Sequence, residues 1–143
     1  MDAKRISGLV LVLLAILLAA ALSFVGRDQQ SRSFTVDFQQ GRTLAEDSDT
    51  DIARIATLMS RQPRYEALIV GHSGTRGDAS ANLELSRARA EIVSRRLIDE
   101  GIDSDRLLIH AVGRGEPLEQ RDGESERRYQ QRLARVEVEL EYR

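Results

Sequence analysis

The 143-residue sequence contains no cysteine, which excludes a structural disulfide and a lipid-modified cysteine alike. It has two histidines, His72 and His110, and no paired-carboxylate spacing, so no metal site and no cofactor are expected. Aromatic residues make up 4%, too few for a platform on which single-stranded nucleic acid could stack. Positive charge is not in excess either, since the formal net charge is −2. The pairs Arg95-Arg96 and Arg127-Arg128 are interleaved with acidic residues and read as solvated helix faces, so nucleic acid is not an expected partner.

What the chain does have is one long apolar run. Ile6 to Val25 carries no charge, and about twenty residues at roughly 1.5 Å each span a hydrocarbon core of about 30 Å. Lys4 and Arg5 precede it, which places that end in the cytoplasm and exports the rest. The competing reading is a cleaved signal peptide, with Ala21-Leu22-Ser23 as the small-residue site, but cleavable apolar cores usually run to about 7–15 residues. The run holds no acidic residue and so offers no intramembrane proton path. Ala15, Ala19 and Ser23 recur every four positions, a spacing that suits either a close helix contact or a plain lipid-facing helix. The expected organisation is a transmembrane anchor over 1–26, a short linker over 27–33 and a folded domain over 34–143. Lys4 and Arg5 against Asp2 give the anchor one net positive charge, so the exported part carries −3.

Within the folded part, Phe34, Val36 and Phe38 alternate with polar residues as a strand with one buried face does. Asp47 to Asp51 offer N-caps for a helix carrying Ile52, Ile55 and Met59, and Pro63 ends it. Ala67 to Val70 make a short apolar strand. A second helix is expected from Asn82 to Glu100, with Asn82 as its cap, Leu85, Ala88, Ile92 and Leu97 on its apolar side, and Gly101 as its stop. Arg106 to Val112 form a third strand, Arg114 to Arg128 a polar loop with at most a turn of helix, and Val136, Val138 and Leu140 alternate with glutamates in a closing strand. Two successive βαβ crossovers predict an α+β domain whose mixed sheet is covered by helices on one face.

Between the second strand and its helix the sequence reads Gly71-His72-Ser73-Gly74, then Gly77, Asn82, Leu85, Ser86, Arg89 and Ala90. At these spacings it resembles the ligand-binding segment of OmpA-like domains, envelope modules that grip peptidoglycan, with Ser73 for Thr and Gly74 for Asp. The resemblance extends over roughly Phe34 to Leu140 and implies the β-α-β-α-β-β fold of that family. It also implies a pocket for the diaminopimelate residue of the wall stem peptide, in which the Asp takes the ammonium and Arg89 the carboxylate. On this basis the ligand-binding residues are Ser73, Gly74, Asn82, Ser86, Arg89 and Arg135. The last of these lies in Leu133-Ala134-Arg135-Val136-Glu137, where the family has Asn-Arg-Arg-Val-Glu. Arg89 also admits an internal role, tying the loop to the helix, and Ser86 one as a helix-start hydrogen-bonding residue.

Other chemistries fit poorly. The glycines suggest an anion loop at a helix N-terminus, but no lysine follows and the spacing is not that of a Walker or Rossmann motif. Adjacent strand residues point to opposite faces, so His72 and Ser73 do not make a base–nucleophile pair, and no catalytic residue is assigned. The expected protein is a non-enzymatic, single-pass inner-membrane protein holding its C-terminal domain in the periplasm as an envelope-assembly module. Its partners would be the membrane, an envelope protein, and a peptidoglycan stem peptide whose binding is weakened or lost because Gly74 replaces the Asp. The alternative is a functional peptidoglycan tether in which another acid, such as Asp78, supplies the carboxylate.

Overall fold

The computed structural model describes residues 32–143. The apolar run read as a membrane anchor and most of the linker lie outside the described residues. Among the described residues no helix is long and apolar enough to cross a membrane.

The chain runs β1 (Arg32–Gln40), β2 (Thr43–Leu44), α1 (Ser48–Arg61), β3 (Tyr65–His72), α2 (Ala79–Asp99), a 3-10 turn (Ser104–Arg106), β4 (Leu107–Gly113), α3 (Glu126–Leu133) and β5 (Arg135–Tyr142). The five strands form one sheet in the order β2-β1-β5-β3-β4. β5 lies antiparallel to β1 and to β3, and β4 lies parallel to β3. The alternation in the sequence sets which side chains face inward. Val36 pairs with Val136 and Ile69 with Val138, and all four are fully buried against Ile55 and Met59 of α1 and Val93 and Leu97 of α2. Glu137, Glu139 and Glu141 take the opposite face.

Local chemistry closes the elements. Arg106 donates Nε to the Tyr65 carbonyl and Nη2 to those of Met59 and Gln62, which satisfies acceptors that the end of α1 would otherwise leave open. Gly101 ends α2 at φ +90°, and Ile102 N–H returns to the Leu97 carbonyl, seating Ile102 in the core. Gly71 lets α2 approach β3, because a Cβ there would collide with the Ser86 carbonyl.

Three features depart from the sequence expectation. The helix α2 starts at Ala79, with Asp78 rather than Asn82 as its cap; the Asp78 carboxylate accepts from Ala81 N–H at 2.9 Å. Its buried residues are Asn82, Ser86, Arg89, Ala90, Val93, Ser94 and Leu97, whereas Leu85, Ala88 and Ile92 are only partly buried. Polar residues occupy the upper half of that series because they hold the loops at the sheet end. Third, the stretch read as loop up to Arg128 contains the start of α3, capped by the Ser125 hydroxyl, which accepts from Arg128 N–H at 3.4 Å. Arg132 of α3 forks onto Glu124 (2.7 and 2.8 Å) and so straps the 114–125 loop to the helix.

Candidate functional site

The C-terminal end of β3, the β1–β2 turn and the helix α3 meet around Arg89. This residue lies ten positions after Ala79, about three turns into α2 rather than one. Its side chain reaches to the sheet end, where Nε donates to the Gly41 carbonyl at 2.7 Å and Nη1 to the His72 carbonyl at 2.9 Å. The guanidinium carbon sits 5.4 Å from the Phe38 ring centroid. Arg89 is 3% exposed, and burial lowers its pKa to about 10, so the group remains a cation at neutral pH. Among the described residues it has no acidic partner: both of its hydrogen bonds go to neutral carbonyls. A buried cation without a counter-ion is a costly arrangement that an incoming anion relieves.

Such an anion has room. A cavity of about 350 Å³ opens over Arg89. Gln39, Gln40 and Gly41 of the β1–β2 turn form one side, and Gly74 forms another. The third comes from α3, whose Arg127, Gln130 and Gln131 lie three and four residues apart and therefore share a helix face, with Ala134 just beyond. None of the lining residues is acidic. Sequence reading missed the α3 contribution and the β1–β2 turn. The signal present was the spacing of Arg127, Gln130 and Gln131 immediately before the closing strand.

At Gly74 the backbone φ is not positive, so its torsion suits any residue. The constraint is spatial, since a Cβ there would collide with Gln130 Oε1. That oxygen accepts from Thr75 N–H at 3.1 Å, while Gln130 Nε2 donates to Thr75 Oγ1 at 2.7 Å and to Glu126 Oε1 at 2.9 Å. Gln130 thus latches the 73–77 loop to α3 across the place where a side chain at 74 would project.

The remaining residues predicted for the site sit elsewhere. Ser73 is buried; its N–H donates to the Gly113 carbonyl and its hydroxyl to the Gly74 carbonyl. Asn82 Nδ2 donates to the carbonyls of Arg76 and Asp78, stapling the loop to the first turn of α2. Ser86 is fully buried, donates to Leu83 O at 2.8 Å and accepts from Gly113 N–H at 3.0 Å, joining α2 to the end of β4. Arg135 points to the other face of the sheet, where Nε donates to Glu137 Oε1 at 2.7 Å. Of the six residues, Arg89 and Gly74 border the cavity.

Arg135 belongs to a second group with His72 and Glu137, in which the two basic residues are buried and Glu137 is partly exposed. His72 is 1% exposed, with Nε2 3.5 Å from Glu137 Oε2. Burial, and then the adjacent Arg135 charge, lower its pKa, against the opposing pull of Glu137 and Glu116. Asp78, whose carboxylate caps α2, is exposed and does not line the cavity.

A family profile described as "OmpA family" matches residues 38–131. The Probable lipoprotein YiaD of Escherichia coli is 26% identical over 76 residues, which cover 53% of this chain and 35% of that protein. The match thus spans about a third of the length of this curated relative. Among solved structures, the peptidoglycan-associated lipoprotein of Burkholderia pseudomallei superposes with a TM-score of 0.64 at 24% identity, covering 77% of this chain and 90% of that one. The OmpA-like domain of FopA1 from Francisella tularensis gives 0.64 at 18% identity, over 79% and 76%. The periplasmic domain of Helicobacter pylori MotB gives 0.62 at 21%, over 79% and 77%. The mixed sheet, the helices on its face and the profile match agree, and the chain belongs to the OmpA family.

Proposed function

We propose that this chain is a non-enzymatic envelope protein that holds its OmpA-type domain in the periplasm from a single-pass inner-membrane anchor at residues 1–26, as an interaction module with weakened affinity for peptidoglycan. The observation that carries the reading is Arg89, a buried cation with no acidic partner among the described residues beside an open cavity, at the position where the family pattern has its carboxylate-binding arginine. Weakening follows from Gly74: the two-charge match to a zwitterion has lost its negative half, and one charge-assisted bond is worth roughly 1.5–3 kcal/mol, about one to two powers of ten in affinity. Support for an envelope role comes from the printed names of the similar proteins, a peptidoglycan-associated lipoprotein and the periplasmic domain of MotB among them. A tether that uses Asp78 for the missing charge has less to support it, because that carboxylate is engaged in capping α2.

The test is co-sedimentation of the full chain, in detergent, with purified sacculi. Weak, saturable binding that the Arg89→Met substitution removes is the expected result. Binding untouched by that substitution would sink the assignment of the site, and tight binding would favour the tether.

A further inference from the structure

We infer that the Arg89 cavity selects a wall-peptide carboxylate whose neighbouring amine is acylated, rather than the free zwitterion; this rests on the wall-binding reading above. The argument is one of charge and of space. Arg89 and Arg127 both border the cavity and, among the described residues, no acidic side chain lines it; Glu126 stands behind Gln130, bonded to its amide, so a free ammonium brought next to the bound carboxylate would lie beside two arginines with no lining acid. A Cβ at position 74 would collide with Gln130 Oε1, so a side chain there requires that amide to move against its hydrogen bonds to Thr75 and Glu126. A neutral amide therefore stands beside position 74.

The other residues that line the cavity include Gln39, Gln40 and Gln131, whose side chains are neutral amides. An acylated amine is itself an amide, with one N–H and one C=O, and is matched by such a lining at no cost in charge. In chemical terms, the diaminopimelate amine is free in an uncrosslinked stem peptide and acylated in a cross-link. The cavity is built for the second state.

The experiment titrates the full chain in detergent with four probes: free diaminopimelate, di-N-acetyl-diaminopimelate, the dicarboxamide of the latter, and N-acetyl-L-alanyl-L-alanine. Removing an ion pair or creating an unpaired ammonium changes affinity by about tenfold or more. The diacetyl compound should accordingly bind at least about tenfold more tightly than free diaminopimelate, and the dicarboxamide should not bind measurably. In the Gly74→Asp/Gln130→Ala double variant, where the acid returns and its obstruction is removed, the preference should reverse. Equal or tighter binding of the free zwitterion by the unmodified chain, or no binding of any probe, overturns the inference. So does a double variant that folds and leaves the preference unmoved. Tighter binding of the alanyl peptide than of the diacetyl compound assigns the cavity to the C-terminus of a protein and overturns the wall assignment. Sacculus binding is scored separately: if it persists while the selectivity fails, the wall-binding reading survives without this inference, and if it is absent, both fall.

Discussion

Two buried arginines on opposite faces of the same sheet end make an instructive pair. Arg135, 4% exposed, is neutralised by Glu137 at 2.7 Å and faces the Glu116 carbonyl, with only Nη1 lacking a partner. Arg89, 3% exposed, is held by two carbonyls and, among the described residues, by no acid, beside an open cavity. An arginine that fold stability alone required would be cheapest when paired inside the protein, as Arg135 is. Leaving Arg89 uncompensated makes sense where the counter-ion comes from outside.

The comparison can be broken, most directly at Arg89. Replacement by Met removes two charge-assisted contacts to a bound carboxylate, so sacculus binding should fall by about a hundredfold. The loss of two carbonyl hydrogen bonds is offset by the removal of an uncompensated buried charge, and unfolding free energy should change by about 1 kcal/mol or less. A large drop in urea midpoint would mean that Arg89 is a structural tie like its counterpart. Arg135→Met should do the reverse. It strands a half-exposed Glu137 and costs about 1–3 kcal/mol in denaturant melts, discounted for solvent screening, while wall binding holds to within a few-fold.

Gly74→Asp alone should be a smaller and more revealing change. The new side chain displaces Gln130 and disrupts its bonds to Thr75, at about 1 kcal/mol of stability. Diaminopimelate affinity should consequently rise less than in the double variant with Gln130→Ala, as a paired titration would show. A full gain from the single variant would mean that Gln130 is no obstacle. The smallest effect concerns pH. The His72 pKa is lowered in the folded state from 6.5, chiefly by burial. The unfolded chain therefore binds more protons just below that value, and this contribution to stability is complete above about pH 6.5 and declines as pH falls through it. Melting temperatures at pH 7.5 and 5.5 should show the decline, and His72→Leu should flatten it.

Much of this was readable from sequence where a single face is apolar. Phe34, Val36 and Phe38 announced β1, and Ile52, Ile55 and Met59 announced the buried side of α1. The reading failed where polar residues are buried for a local reason. On α2 the eye follows Leu85, Ala88 and Ile92, yet the helix turns Ser86 and Arg89 inward because carbonyls and an N–H at the sheet end await them. α3, with the sequence ERRYQQRL, has only Tyr129 and the fully buried Leu133 as an apolar pair, too short a stripe to announce a helix, and is held as well by Ser125, Arg132 and Gln130. Arg135 was placed in the pocket by the resemblance, whereas the strand's period of two sends it to the face opposite the core. That Arg89 and Gly74 come near one another was legible because it rests on spacing within one segment. The α3 side of the cavity was not, since it arrives from fifty-five residues away at Gln130.

The position of β5 has a consequence for how the domain is made. This strand lies between β1 and β3, and its pairing of Val136 with Val36 spans one hundred positions of sequence. Until it arrives, β1 and β3 have no shared neighbour and their inward side chains lack a complete core. Contacts of such long range close late, because the loop entropy has to be overcome before they stabilise anything. A nascent chain in which Arg135–Tyr142 has not yet emerged would thus lack the strand that joins β1 to β3. Cooperative closure would follow when the last strand slots into the middle of the sheet.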